Sequence, residues 1–429
     1  MSDIRHRLVL RGGRVVRTDR EPDAPERLDI AVDATGRIAR LAPRIEEAGA
    51  EEWDLGGRLV LPGMVDIHHH LDKTRTSRHV ANPAGTLMGA VQGFRAYAGG
   101  ASRQDILERA ARTVEACLAR GTVAIRTHAN VDLDWGLRAV EALAELRAQS
   151  QHRIRLQVVA FITSSGVRMP VPEARRLLED ALDTGAEVVG GAPALAADPH
   201  ETIDMLFQVA ARRGRMLDLH VDETLDPAAC HLAHVARRTA EYGLRGRVVV
   251  GHCCSLSAMP FHLARPVIEA VADAGVGLVT LPASNLFLQG RDASVLPPRG
   301  LTRVKDLLAA GVQVAYASDN IQDPFTPVGT GDLLETGRWL FLAAHLPPEF
   351  LPRVYDMGSL APAAMMGLGT DFGIHVGACA DLLIVDAEDR ADAVASGPLD
   401  RTVLFHGRRV AGRSYRVDGV GPRAGVPDG

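Results

Sequence analysis

The sequence predicts an α/β fold: a (β/α)8 TIM barrel with a small β-sandwich domain formed from both termini. Three observations predict it. Eight short apolar runs alternate with helix-period segments through the middle of the chain, brief alternating segments with turn residues stand at both ends, and histidine or aspartate recurs where the apolar runs finish. Strands alternating with helices pair in parallel through right-handed crossovers, and eight such units close into a barrel.

From Arg7 to about Val60, runs such as Leu8-Val9-Leu10 and Leu28-Asp29-Ile30-Ala31-Val32 are broken by Gly12-Gly13 and Thr35-Gly36, the texture of small hairpins. Residues 1–60 are expected to form the first part of the sandwich. The barrel follows over 61–369, with strands expected at 65–70, 122–128, 154–161, 187–191, 215–220, 247–252, 276–281 and 312–319. Helices are expected between them, at 102–119, 133–148, 172–184, 201–213 and 301–310. Hairpin texture returns in Ala380-Asp381-Leu382-Leu383-Ile384-Val385-Asp386 and around Thr402-Val403-Leu404-Phe405. Residues 370–418 thus complete the sandwich, and the Gly- and Pro-rich residues 419–429 form a flexible tail. Residues 77–100 are a long excursion after the first barrel strand, either a cover that shapes a site or a plain surface loop.

With 429 residues, 46% of them apolar, the chain can bury the core of one large domain or two smaller ones. Its formal charge of -5 gives no electrostatic footprint for nucleic acid or an anionic membrane, so a small molecule is the expected partner. Five cysteines without a repeating spacing do not suggest a disulfide scaffold. There is no uncharged apolar run of about 18 residues, and the setting expected is soluble, reducing and cytoplasmic. A homo-oligomer is compatible with the fold class, although no surface stripe argues for one.

The chemistry is carried by Val65-Asp66-Ile67-His68-His69-His70-Leu71-Asp72-Lys73, followed far downstream by His220 and Glu223, then His252, then Asp319. Alternate residues of a strand point to one side, so His68 and His70 can reach a single ion while His69 faces away. Imidazole nitrogen and carboxylate oxygen suit a borderline divalent cation, which lets water ionise near neutral pH for hydrolysis. With 16 histidines, a His-x-His pair is expected by chance about 0.6 times, so the pair alone is weak. Its weight comes from the same ligand types recurring at several strand ends. The bland alternative for any one of these histidines is a hydrogen-bonded core residue. Cys253 and Cys254 read as buried small hydrophobes, Asp72 and Lys73 as a local ion pair, and His128 as either a substrate contact or a structural polar contact.

The chain resembles the amidohydrolase superfamily, and within it the cytosine deaminase branch. The strings that carry the likeness are Pro62-Gly63-Met64-Val65-Asp66 with His68-His69-His70-Leu71-Asp72, Arg126-Thr127-His128, Val158-Val159-Ala160-Phe161, His220-Val221-Asp222-Glu223, Gly251-His252, Leu288-Gln289-Gly290-Arg291 and Asp319-Asn320-Ile321-Gln322-Asp323-Pro324. The resemblance implies His68, His70, His220 and Asp319 as ligands of one divalent ion, zinc or iron. Dinuclear relatives bridge two metals with a lysine on the fourth strand, and no lysine lies in or near 187–191. It further implies Glu223 as the proton carrier, His252 as the group that contacts the attacking oxygen, and Asp319 as ligand and second proton acceptor.

Three departures bear on substrate. Where the branch has a glutamine after the Val-Ala-Phe string, this chain has Ile162-Thr163-Ser164-Ser165; Asn320 follows the metal aspartate in place of an acidic residue; and Phe325 replaces a tryptophan. Thr163, Ser164, Gln289, Asn320 and Phe325 are the expected substrate contacts. Asp319-Asn320 and His70-Leu71-Asp72-Lys73 are similar to N-isopropylammelide-type aminotriazine hydrolases. The expected activity is hydrolytic deamination of a nitrogen heterocycle such as a pyrimidine, triazine, purine or pterin. Cleavage of an N-substituted amine or cyclic amide is the alternative, and a non-catalytic heterocycle-binding protein is the reading from another class.

Overall fold

A computed structural model of the chain describes residues 6–20, 24–163, 165–296 and 298–414, so the expected tail at 419–429 lies outside the described residues. The N-terminal part supplies five strands, β1 (His6–Val15), β2 (Glu26–Asp33), β3 (Ile38–Ala42), β4 (Glu51–Asp54) and β5 (Leu59–Pro62). Eight more follow: β6 (Met64–His69), β7 (Thr122–Val131), β8 (Arg155–Ile162), β9 (Val188–Gly191), β10 (Met216–Val221), β11 (Val248–His252), β12 (Gly277–Thr280) and β13 (Val314–Tyr316). The C-terminal part adds β14 (Leu382–Val385), β15 (Arg401–Phe405) and β16 (Arg408–Arg413).

Strands β6 to β13 pair in parallel, each with its sequence neighbour, as eight strand-helix units require. All eight expected strands are present. The last is shorter than the expected 312–319, because the chain beyond Tyr316 turns to meet the first strand. There Asp319 N–H donates to the His68 carbonyl (2.8 Å) and His70 N–H donates to the Asp319 carbonyl (3.1 Å), which brings the two barrel edges together at the metal-competent residues.

Terminal strands from both ends form one satellite sheet in the order β16-β15-β14-β5-β1-β2-β3, with β4 also pairing β1. Most pairs are antiparallel, but β1 runs parallel to β4 and β5, a crossover that a reading of local hairpins does not contain. Strand alternation divides two cores: Leu59, Leu61, Leu383 and Val385 pack with the barrel, whereas Val60, Leu382 and Ile384 pack within the satellite.

The excursion at 77–100 contains a helix, α1 (Leu87–Ala98), N-capped by Thr86, whose side chain accepts from Gly89 N–H. A second helix, α2 (Arg103–Leu118), returns to the barrel. The helix expected from 133 begins only at Arg138, because Asp132 accepts from Asp134 N–H (3.1 Å) and Gly136 N–H (2.8 Å) and holds the chain in a turn. Among the described residues no helix is long and apolar enough to cross a membrane.

Candidate active site

Strand ends deliver the polar groups to one mouth. His220 Nε2 lies 3.2 Å from His68 Nε2 and 3.0 Å from His70 Nε2. Asp319 Oδ1 lies 3.7 Å from His68 Nε2 and 3.3 Å from His70 Nε2. Donors about 2.0–2.2 Å from a shared tetrahedral ion stand about 3.3–3.6 Å apart, so this spacing fits one divalent cation. Burial holds His68, His70 and His220 well below the usual imidazole range, leaving the neutral rings whose lone pairs ligate metals. Burial also pushes Asp319 up to about 7, and neither of its oxygens has a hydrogen-bond partner among the described residues. Facing lone pairs and an unpartnered carboxylate in a dry site are costly unless a cation joins them.

His252 belongs to the same cluster, its donor atom within 4.8 Å of those of His68, His220 and Asp319. A second set, His68, His70 and His128, is also close, but His128 Nε2 is engaged by Asp218 Oδ1 at 3.2 Å and the set lacks a carboxylate. The set containing Asp319 offers a carboxylate as well as imidazoles, and His70 Nε2 adjoins it, 3.0 Å from His220 Nε2 and 3.3 Å from Asp319 Oδ1. Asp218 also accepts from the fully buried Arg126 (2.7 Å), so His128 is part of a supporting polar layer and not of the cavity wall.

Close approach is built into two glycines. A Cβ at Gly251 would stand 2.7 Å from His68 Cε1, so only glycine before His252 leaves room for the ligand ring. A Cβ at Gly190 would meet Val159 at 2.4 Å and the Asp218 carbonyl at 2.6 Å, so the fourth strand has no space there for a side chain. Asp222, His252 and Asp319 adopt left-handed backbone (φ 56°, 69° and 59°), a conformation that non-glycine residues rarely hold outside sites that need it.

Glu223 stands at the edge of the cluster with its side chain 13% exposed and Oε1 3.5 Å from His252 Nδ1. Burial, with Asp319 nearby, raises its pKa well above the ordinary glutamate range. Asn285 Nδ2 donates to His252 Nδ1 at 3.1 Å, and burial lowers His252 to about 3, so the neutral ring carries its proton on Nε2. That Nε2 is buried and has no partner among the described residues.

These groups form the floor of a cavity of about 940 Å³, its open mouth included. Thr163, Asn320 and Phe325 line it, with Glu223, His252 and Asp319. Gln289 does not line it: its amide donates to the Glu223 carbonyl at 3.1 Å and braces that loop from behind. Ser164 lies outside the described residues.

A profile of the Amidohydrolase family matches residues 80–411. The chain belongs to the amidohydrolase family. Its relatives include a pterin deaminase of Rhizobium rhizogenes, 33% identical over 386 residues (89% of this chain, 87% of that protein). N-isopropylammelide isopropyl amidohydrolase of Pseudomonas sp. is 30% identical, covering 87% and 91% of the two chains. Among solved structures, 5-methylcytosine deaminase from Klebsiella pneumoniae liganded with 5-fluorocytosine superposes with TM-score 0.86 at 29% identity, covering 95% and 98%. The likeness thus spans the barrel and most of the satellite sheet.

Sequence reasoning missed two parts of this amidohydrolase's site. Lys73 forms the expected pair with Asp72 (3.2 Å), but its Nζ also lies 2.9 Å from His70 Nδ1 and 2.7 Å from Asn130 Oδ1, and Lys73 and Asn130 both line the cavity. Its place three residues after the expected ligand His70, in a chain with only two lysines, was the available signal. The other part is α1, whose cavity-lining positions 87, 88, 91, 94 and 95 follow the helical period.

Proposed function

We propose that this amidohydrolase is a metal-dependent deaminase that hydrolyses an exocyclic amino group from a nitrogen heterocycle and releases ammonia. The observation that carries the reading is the meeting of four neutral or unpartnered donors with the Glu223 carboxyl group at the floor of one cavity. Names of the relatives support the substrate class: two are deaminases of pterin and of 5-methylcytosine, and a third acts on N-isopropylammelide.

His68, His70, His220 and Asp319 would hold one ion, zinc or iron; the lack of room at Gly190 supports a single ion over a bridged pair. Such an ion, when bound, brings the pKa of water towards neutrality and supplies the attacking oxygen. Glu223 takes one water proton and passes it to the ring nitrogen beside the attacked carbon, which makes that carbon electrophilic. His252 offers its Nε2 proton to the oxygen as charge develops. Asp319 receives the second proton and returns it to the amine. The new C–O bond then becomes a carbonyl, the C–N bond breaks and ammonia leaves. Thr163, Asn320 and Phe325 hold the ring, Phe325 by its face.

Loss of an alkylamine in place of ammonia is the second reading, favoured by the N-isopropylammelide relative and by Asn320 after the metal aspartate. Turnover of aminopyrimidines, aminopurines, pterins and aminotriazines, followed by ammonia and amine detection, separates the two. Release of neither from any of the four ring classes overturns both.

A further inference from the structure

We infer that the helix Leu87–Ala98 makes this enzyme selective for heterocycles bearing an apolar, uncharged substituent on the edge remote from the attacked carbon. The inference rests on the deaminase reading and names its substrate class more narrowly. Hydrogen-bonding groups gather at the cavity floor, where one ring suffices to meet Glu223, His252 and Asn320. Above them the wall changes character. Leu87, Met88, Val91 and Phe94 of α1 face Trp135 and Phe325, and all six line the cavity.

An amphipathic helix ordinarily turns its apolar stripe into the core. Here positions 87, 91 and 94 share one face, yet Leu87 and Val91 are only half-buried and Met88 is 51% exposed. Apolar surface left open beside a reactive floor marks a place where something apolar binds. A ring held at the floor does not reach the α1 side chains that line the cavity above it, which leaves the upper wall for a substituent.

The rim argues against a charged substituent. Arg95 pairs with Asp132 (3.4 Å) and Asp134 (3.2 Å), and Arg168 pairs with Asp134 (2.6 Å), so two cations are matched by two carboxylates. A phosphate or carboxylate arriving there would have to displace one of these aspartates. The wall is also preformed. Asn82 Nδ2 ties the start of α1 to the Pro324 carbonyl (2.9 Å), Arg138 Nη2 donates to the Gly99 carbonyl at its end (3.1 Å), and Phe94 and Ala98 pack with Trp135.

The test compares kcat/KM of the metal-loaded enzyme for pterins and aminopyrimidines that are unsubstituted, butyl-substituted or carboxymethyl-substituted on the remote edge. Butyl compounds are expected to exceed carboxymethyl compounds at least tenfold. Met88→Glu, at an exposed position that tolerates charge, and Val91→Asn are each expected to shrink that ratio several-fold, with circular dichroism confirming the fold. Equal kcat/KM for the two substituents, or a ratio unmoved by both substitutions, overturns the inference while leaving deamination intact. If no compound releases ammonia, the deaminase reading fails instead. Calorimetric titration with the same butyl and carboxymethyl pair then decides the wall by itself: tighter butyl binding upholds it and equal binding overturns it.

Discussion

Two buried aspartates show how differently this chain treats a carboxylate in its framework and in its mouth. Asp29, 5% exposed in the satellite sheet, accepts from Gly12 N–H (2.8 Å), Ile45 N–H (3.0 Å) and Arg11 Nη1 (2.9 Å). Burial alone would raise its pKa, but those three donors outweigh burial and hold it below the usual carboxylate range. Asp319, 1% exposed at the barrel mouth, has no hydrogen-bond partner within normal distance on either oxygen among the described residues, and burial outweighs the nearby Ser284 hydroxyl and pushes it up to about 7. A carboxylate that is fully served by its own chain is a structural fastener. One left unserved between three neutral imidazoles is complete only with a ligand from outside.

The largest effect that this contrast predicts comes from Asp319→Ala. Metal content, measured by mass spectrometry after gel filtration, should fall from about one ion per chain to a small fraction, and turnover by at least about a thousandfold. A chelator should do the same to the unaltered protein, reversibly on adding zinc or iron. A variant that keeps both its metal and its rate would show that Asp319 is another fastener and end the contrast.

Next is Glu223→Gln, which keeps the shape and removes the proton carrier. A loss of roughly 10²–10⁴-fold in kcat with the metal retained is expected. His252→Asn removes one preorganised donor and should cost about 2.7–4 kcal/mol of barrier, or roughly 10²–10³ in kcat. If Glu223→Gln also strips the metal, the glutamate acts through the site's structure and its assignment as proton carrier falls. Lys73→Met takes away a cation 2.9 Å from His70 Nδ1, and because an ammonium only donates and repels a nearby divalent ion, metal affinity should rise several-fold. Competition against a zinc indicator dye measures it, and unchanged affinity would confine Lys73 to pairing Asp72.

Much of the fold was legible because its signals are periodic. Runs at 215–220 and 247–252 are apolar strands with a polar terminus, and β10 and β11 form there. The closeness of the four expected ligands was readable in the same way, since alternation places His68 and His70 on one side, His220 lies near the end of β10 and Asp319 lies just beyond β13. Contacts made across long sequence distances were not readable. The parallel pairing of β1 with β5 joins segments about 45 residues apart, and nothing local specifies it. Gln289 sits beside a family-like string, yet which way its amide turns depends on where the Glu223 carbonyl lies. For α1, turn residues at both ends read as a loop, while the apolar period inside is explained only once a cavity stands opposite it.

The smallest effect tests the framework side. Asp29→Ala should leave metal content and turnover unchanged, yet lower the free energy of unfolding by about 3 kcal/mol, because three donors lose their acceptor. The pH dependence has a definite sign. With its folded pKa below the unfolded value of about 3.9, Asp29 contributes stability that is fully present above that value and is lost as pH falls through the folded pKa. Urea unfolding of the parent and of Asp29→Asn should therefore differ by a constant amount above about pH 5 and converge below about pH 4. A difference that stays flat on acidification would mean that the charge of Asp29 contributes nothing and that its hydrogen bonds alone hold the satellite sheet at that point.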